Sequence, residues 1–161
     1  MVSLWVVNAS PIILLTKIGQ LDLLSQLGPP VVIPEAAVQE IQRRGPADAA
    51  VQAIAAAPWL TTVDPGSMDP AVAVLNLGMG ESAVLTHALA NPGSGAILDD
   101  QAARSGAATL GIPHQGTLGL LIFAKQQGRI SAARPLVEQL RQEGMYLTDQ
   151  VIDQALAQVG E

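Results

Sequence analysis

The stretch that most constrains this chain is Leu4-Trp5-Val6-Val7-Asn8-Ala9-Ser10-Pro11. A short apolar run ends in Asn8 and then in a Ser-Pro pair, the pattern by which a buried strand hands over to a helix in an α/β protein. Ser10 suits a helix cap and Pro11 the first helical turn, which leaves Asn8 at the carboxyl edge of the strand. Open parallel sheets bind ligands outside that edge. The polar residues expected to arrive there with Asn8 are Glu40, Glu81, Asp99 and Asp100.

The rest of the chain repeats the alternation. Helix is expected over 11–18, with a second short one from Leu21 towards Gly28. Strand follows at 30–33 and helix from Pro34, carrying Ala36, Ala37, Val38 and Ile41. Beyond Gly45-Pro46 come a helix over 48–57, a strand over 59–63 and a polar turn at 64–67. Helices over 69–77 and 81–90 precede a loop at 91–95, a buried strand at 96–98 and a helix over 102–110. A short strand at 112–114 and helices over 117–127, 132–143 and 148–159 complete the order. Strands separated by helical crossovers predict a three-layer α/β fold with a mostly parallel central sheet. No internal repeat or linker divides the 161 residues, so one domain over 1–161 is expected. Its core would span about 4–130, with the helices of about 131–159 packing on that core or on a partner.

Composition narrows the function classes. Aromatic residues are only 2% of the chain, too few and too scattered for a base-stacking platform. The absence of cysteine excludes disulfides and thiolate metal sites and makes the cytoplasm the natural setting. The apolar N-terminal run lacks a basic leader and is broken at Asn8, short of a membrane span, so a protein without membrane association is expected. A net charge of −6 opposes phosphate binding unless divalent cations, a local basic patch or a partner supply positive charge.

Several polar positions need individual reading. Glu81 shares a helical stripe with Val84, Leu85 and Ala88, which turns its carboxylate inward; a first-turn glutamate favoured by the helix dipole is the alternative. Asp99 and Asp100 are adjacent charges at a strand end, where a helix needs only one as its cap. Glu40 borders the apolar face of its helix, whereas Glu35 reads as an ordinary first-turn acid. Ser10 and Thr117 begin apolar helices, where a hydroxyl caps by default and can otherwise reach a metal-bound water or a phosphate. His87 and His114 have no metal-ligand spacing and no triad partners. Carboxylates gathered without His or Cys select hard cations, Mg²⁺ or Mn²⁺, and such sites serve phosphodiester hydrolysis.

Taken in order, Asn8-Ala9-Ser10, Pro34 to Glu40-Ile41, Gly80-Glu81 and Leu98-Asp99-Asp100 resemble a PIN domain. Asn8-Ala9-Ser10-Pro11-Ile12, Gly78-Met79-Gly80-Glu81, Asp99-Asp100 with Arg104, and Gly116-Thr117-Leu118-Gly119 with Ala124-Lys125 resemble more narrowly a prokaryotic branch regarded as toxins of toxin-antitoxin pairs. The resemblance spans about residues 4–130. It implies a Rossmann-like sheet and a Mg²⁺- or Mn²⁺-dependent ribonuclease that is commonly dimeric and commonly restrained by a small antitoxin protein. The family's acids fall on Glu40, Glu81 and either Asp99 or Asp100 as metal ligands. Asn8 stands where the family carries its first acid; its carbonyl oxygen can ligate but brings no charge. Ser10, Thr117, Arg43, Arg44, Arg104 and Lys125 are the expected RNA contacts, although Arg104 also lies four residues after Asp100, within pairing reach on one helix. Two other readings remain: a PIN-fold module that binds RNA or a protein without cutting, and a phosphohydrolase acting through Asp99-Asp100.

Overall fold

Five short strands carry the molecule: β1 (Leu4–Val7), β2 (Val31–Pro34), β3 (Leu60–Val63), β4 (Ser94–Ile97) and β5 (His114–Gln115). They form one sheet in the order β3-β2-β1-β4-β5, and every pairing is parallel. This computed structural model describes residues 1–161. The crossovers are helical, as parallel pairing requires. They are α1 (Ala9–Lys17), a 3₁₀ segment (Leu21–Gln26), α2 (Glu35–Gln42), α3 (Ala49–Ala55), α4 (Pro70–Ala73), α5 (Met79–Ala90) and α6 (Gln101–Thr109). After β5 come α7 (Thr117–Gln126), α8 (Arg134–Gln142) and α9 (Asp149–Ala157). No helix is long and apolar enough to cross a membrane.

Strand alternation divides the core in two. Trp5, Val7, Val31, Ile33 and Ile97 face one side, where they pack with Ile12 and Leu15 of α1, Ile41 of α2, Leu120 and Leu121 of α7, Val137 and Leu140 of α8, and Ile152 and Leu156 of α9. Val6, Val32, Ala96 and Leu98 join the other cluster, which holds Val72 of α4, Val84 and Leu85 of α5, and Ala103 and Ala107 of α6. Helices thus cover both faces of the sheet, giving the expected three layers.

Several boundaries differ from the sequence expectation. Strand β4 begins at Ser94, inside the stretch expected to be loop, because Gly95 pairs with Trp5 and leaves room for the indole. A Cβ on Gly95 would stand 2.5 Å from the ring. Helix α4 stops at Ala73 instead of reaching Leu77, and Asn76 beyond it takes a left-handed turn at φ 53°. Helix α5 starts two residues early, at Met79. The last strand lies at His114–Gln115, not at 112–114: the Pro113 carbonyl accepts from Ala96 N at its entrance. Ser10 does not cap α1, since that helix already begins at Ala9.

From β1 the chain turns to β2 on one side, and from β4 to β5 on the other. The crevice between the carboxyl ends of β1 and β4 is therefore the sheet's topological switch point, where doubly wound sheets bind ligands.

Candidate functional site

Asn8 directly follows β1 at this switch point and is only 3% exposed. It precedes the first residue of α1 without capping it. Its amide Nδ2 instead donates to Glu81 Oε1 at 3.2 Å, which ties the strand end to the first turn of α5. Its carbonyl Oδ1 is buried and has no partner. Gly80 permits this arrangement: a Cβ there would stand 2.7 Å from Asn8 Oδ1 and 3.1 Å from Glu40 Oε2. Glu40, on α2, is exposed along most of its length, but its carboxylate leans over the same point. Asn8, Glu40 and Glu81 therefore form one group, held by the contact between α2 and α5.

Asp99, two residues past β4, occupies the opposite wall of the crevice. Its Oδ1 accepts from Thr117 N at 2.7 Å, and its Oδ2 accepts from Thr117 Oγ1 at 2.7 Å and Ser10 Oγ at 3.1 Å. Both hydroxyls expected to meet substrate thus orient a carboxylate. Three donors on one anion fix its direction and compensate its partial burial. Asp100 acts differently, capping α6 with its Oδ2, which accepts from Ala103 N at 2.9 Å. The two adjacent acids avoid one another by dividing these roles.

Asn8, Ser10, Glu40, Glu81, Asp99 and Asp100 line one open cleft of about 1120 Å³, together with Arg104, Gln115, Gly116 and Gly119, while Thr117 is fully buried. Apolar residues also line it, among them Ile13, Leu14, Leu118, Ile122 and Val151. Of the basic residues expected to meet RNA, Arg104 alone lines this cleft. Arg43 reaches a smaller depression beside Glu40 and Gly80. Arg44 is paired with Asp48 at 2.9 Å, and Lys125 donates to the Ser131 carbonyl at 2.6 Å. Neither histidine lines the cleft; burial pushes the His87 imidazole below its ordinary range. Arg104 forms no ion pair with Asp100 or with any other acid.

Comparison with known families is decisive at this point: a family model described as a PIN domain matches residues 4–161. The chain belongs to the PIN-domain family. No curated protein and no solved structure matches it. Membership in the PIN family brings nuclease-type function in general and, commonly, divalent metal ions and RNA.

Whether this PIN domain's residues fit such an ion is answered by the donors themselves. The cleft gathers carboxylate and amide oxygens without histidine or cysteine, the set a hard cation prefers. Asn8 Oδ1, buried and unpartnered, is an acceptor suited to a cation, and Glu40 and Glu81 bring charge beside it. No three acidic or histidine groups, however, stand close enough together to form a ready metal cluster. Asp99 and the Asn8–Glu40–Glu81 group line one cleft without meeting at a single cation-sized point. Mg²⁺ commonly takes one or two carboxylates and completes its shell with water and substrate phosphate, so this sparse set fits it in kind. Sequence reasoning missed Gln115 altogether, because a lone glutamine at a strand end carries no periodic or charge signal.

Proposed function

We propose that this PIN-domain protein is a divalent-metal-dependent endoribonuclease, the toxin of a toxin-antitoxin pair. The observation that carries the reading is the single cleft at the switch point into which Asn8, Glu40, Glu81 and Asp99 all open. Glu40, Glu81 and Asp99, with Asn8 Oδ1, would hold Mg²⁺ or Mn²⁺; Asp100 is the weaker candidate because it is committed to the cap of α6. The ion, when bound, polarises a phosphoryl oxygen and eases the deprotonation of water. The chain's own contribution is orientation. The Asn8 amide aims Glu81, Ser10 and Thr117 aim Asp99, and the buried β1 and β4 edges keep both walls rigid.

Cleavage of single-stranded RNA with Mn²⁺, and its loss in EDTA, tests the reading. Glu81→Gln should lower the rate on the order of 100-fold or more while leaving the melting temperature near that of the wild type. Full activity in Glu81→Gln removes that residue from the mechanism. The toxin role, the small antitoxin partner and a homodimer belong to the same proposal, and the apolar residues lining the cleft, Ile13, Leu14, Leu118, Ile122 and Val151, support a protein partner there. Induced expression in the bacterial cytoplasm should arrest growth; unimpaired growth would contradict the toxin role.

One observation favours a second reading. Asn8 brings no charge and no three-acid cluster is formed, which suits a module that binds RNA or a protein without cutting. Mn²⁺ calorimetry separates the two, because this reading expects no heat of binding at millimolar metal.

A further inference from the structure

Four side-chain atoms are buried without a hydrogen-bond partner, and three of them belong to residues lining the cleft: Asn8 Oδ1, Arg104 Nε and Gln115 Oε1. Buried polar atoms are rarely left unpaired, so a concentration of them at one cleft needs an explanation. The cation site accounts for Asn8 Oδ1. It does not account for Arg104 and Gln115, which are a donor and an acceptor.

Arg104 is the sole cationic residue lining the cleft, against Glu40, Glu81, Asp99, Asp100 and Glu143. It nevertheless pairs with none of them. Two glycines at the start of α7 lie beside the heads of Arg104 and Gln115. A Cβ on Gly116 would come within ordinary contact of Arg104 Nη1, at 3.5 Å, and closer to Asp99 Oδ1, at 3.1 Å; one on Gly119 would touch Gln115 Oε1 at 3.5 Å. Gly116 precedes α7 as its N-cap residue and Gly119 lies in its first turn, so both heads lie near the start of that helix. An unpaired guanidinium in an acidic cleft is suited to an anion that arrives with the substrate, and its fork matches phosphate oxygens.

We propose that Arg104 and Gln115 form the substrate-anchoring subsite of the cleft. The Arg104 guanidinium takes a phosphodiester oxygen, and Gln115 Oε1 accepts from a neighbouring O–H or N–H of the same strand. A phosphodiester offers only acceptors, so Gln115 selects a ligand that carries a donor beside its phosphate. A nucleotide strand meets that condition with a ribose 2′-hydroxyl or a base N–H. This assignment rests on the nuclease reading for its substrate but on Arg104 and Gln115 for its geometry.

Fluorescence anisotropy with a single-stranded RNA and its all-deoxy counterpart, in EDTA and over a range of salt, tests the subsite without cleavage. Arg104→Gln should weaken RNA binding on the order of 10-fold and reduce the salt dependence by about one counterion. Arg104→Lys should fall between it and the wild type, because charge is kept and the fork is lost. Arg129→Gln, exposed and outside the cleft, supplies the charge-matched control. Gln115→Leu should weaken binding several-fold and Gln115→Glu should not restore it fully. A Gln115→Leu loss confined to RNA identifies the 2′-hydroxyl, and an equal loss on both strands identifies a base N–H. Melting curves qualify each variant; if Arg104→Gln fails to fold, Arg104→Lys decides. Unchanged affinity in a folded Arg104 variant, or an effect no larger than that of Arg129→Gln, overturns the subsite. Wild-type protein that binds RNA through Arg104 yet never cleaves it with Mn²⁺ overturns the nuclease reading and leaves the subsite standing. Cleavage with an unaltered KM in Arg104→Gln does the reverse.

Discussion

Thr117→Val should destabilise the protein by removing one of three donors from Asp99. Thr117 is fully buried, and valine keeps its shape, so the change isolates the hydroxyl. Its Oγ1 lies 2.7 Å from Asp99 Oδ2, while the backbone N of the same residue holds Oδ1 at 2.7 Å. Hydrogen bonds to charged groups contribute about 1.5–3 kcal/mol. Asp99 is only half-buried, and Ser10 still serves the same oxygen, so the lower end, about 1.5 kcal/mol, applies. For a chain of this length that corresponds to a fall in melting temperature of about 3–6 °C. Urea denaturation should give a lower midpoint at an unchanged slope, which marks a loss of stability without a change in the unfolded ensemble. The decisive measurement is a double-mutant cycle with Asp99→Ala: the cost of Thr117→Val should largely vanish when the carboxylate is absent. An equal cost in both backgrounds would show that the hydroxyl acts through something other than Asp99.

Two further perturbations follow from the packing. Gly95→Ala would place a methyl 2.5 Å from the Trp5 ring in the centre of the sheet; overpacking of this kind costs about 1–3 kcal/mol, so a wild-type midpoint in denaturant would contradict the arrangement. His87 is held below its ordinary value of 6.5 by burial, so the unfolded chain takes up its proton first as the pH drops. Its contribution to stability is complete above pH 6.5 and is lost as pH falls through the lower folded value; His87→Gln should flatten the melting temperature over that window, and an unaltered profile would exclude this histidine as the cause.

Much of the fold was legible because its signals are local. The run from Leu4 to Pro11 marks the strand-to-helix turn, and the helical stripe of Glu81 correctly turns it towards the group at Asn8. Where local signals conflict, tertiary packing prevails: Gly93, Ser94 and Gly95 read as loop, yet β4 needs Gly95 to admit an indole from a strand ninety positions earlier in the chain. Periodicity reports which face a residue occupies but not what meets it there. Ser10 and Thr117 therefore read as caps, and only their contact with Asp99 reveals them as orienting groups. Arg104 was visible as a charge, but its lack of an ion pair and the whole contribution of Gln115 depend on side-chain contacts across the cleft.

Strand β1 lies between β2 and β4, and this has a consequence for the cell that makes the protein. Asn8 leaves the ribosome well before the other side of the cleft, which is encoded from Asp99 to Thr117. Synthesis proceeds from the N-terminus at a few to some tens of residues each second. For several seconds the emerging polypeptide holds one half of the crevice only. A chain that stops before Asp99 lacks one side of the crevice, so the cleft at the switch point is complete only once the segment from Asp99 to Thr117 has been made.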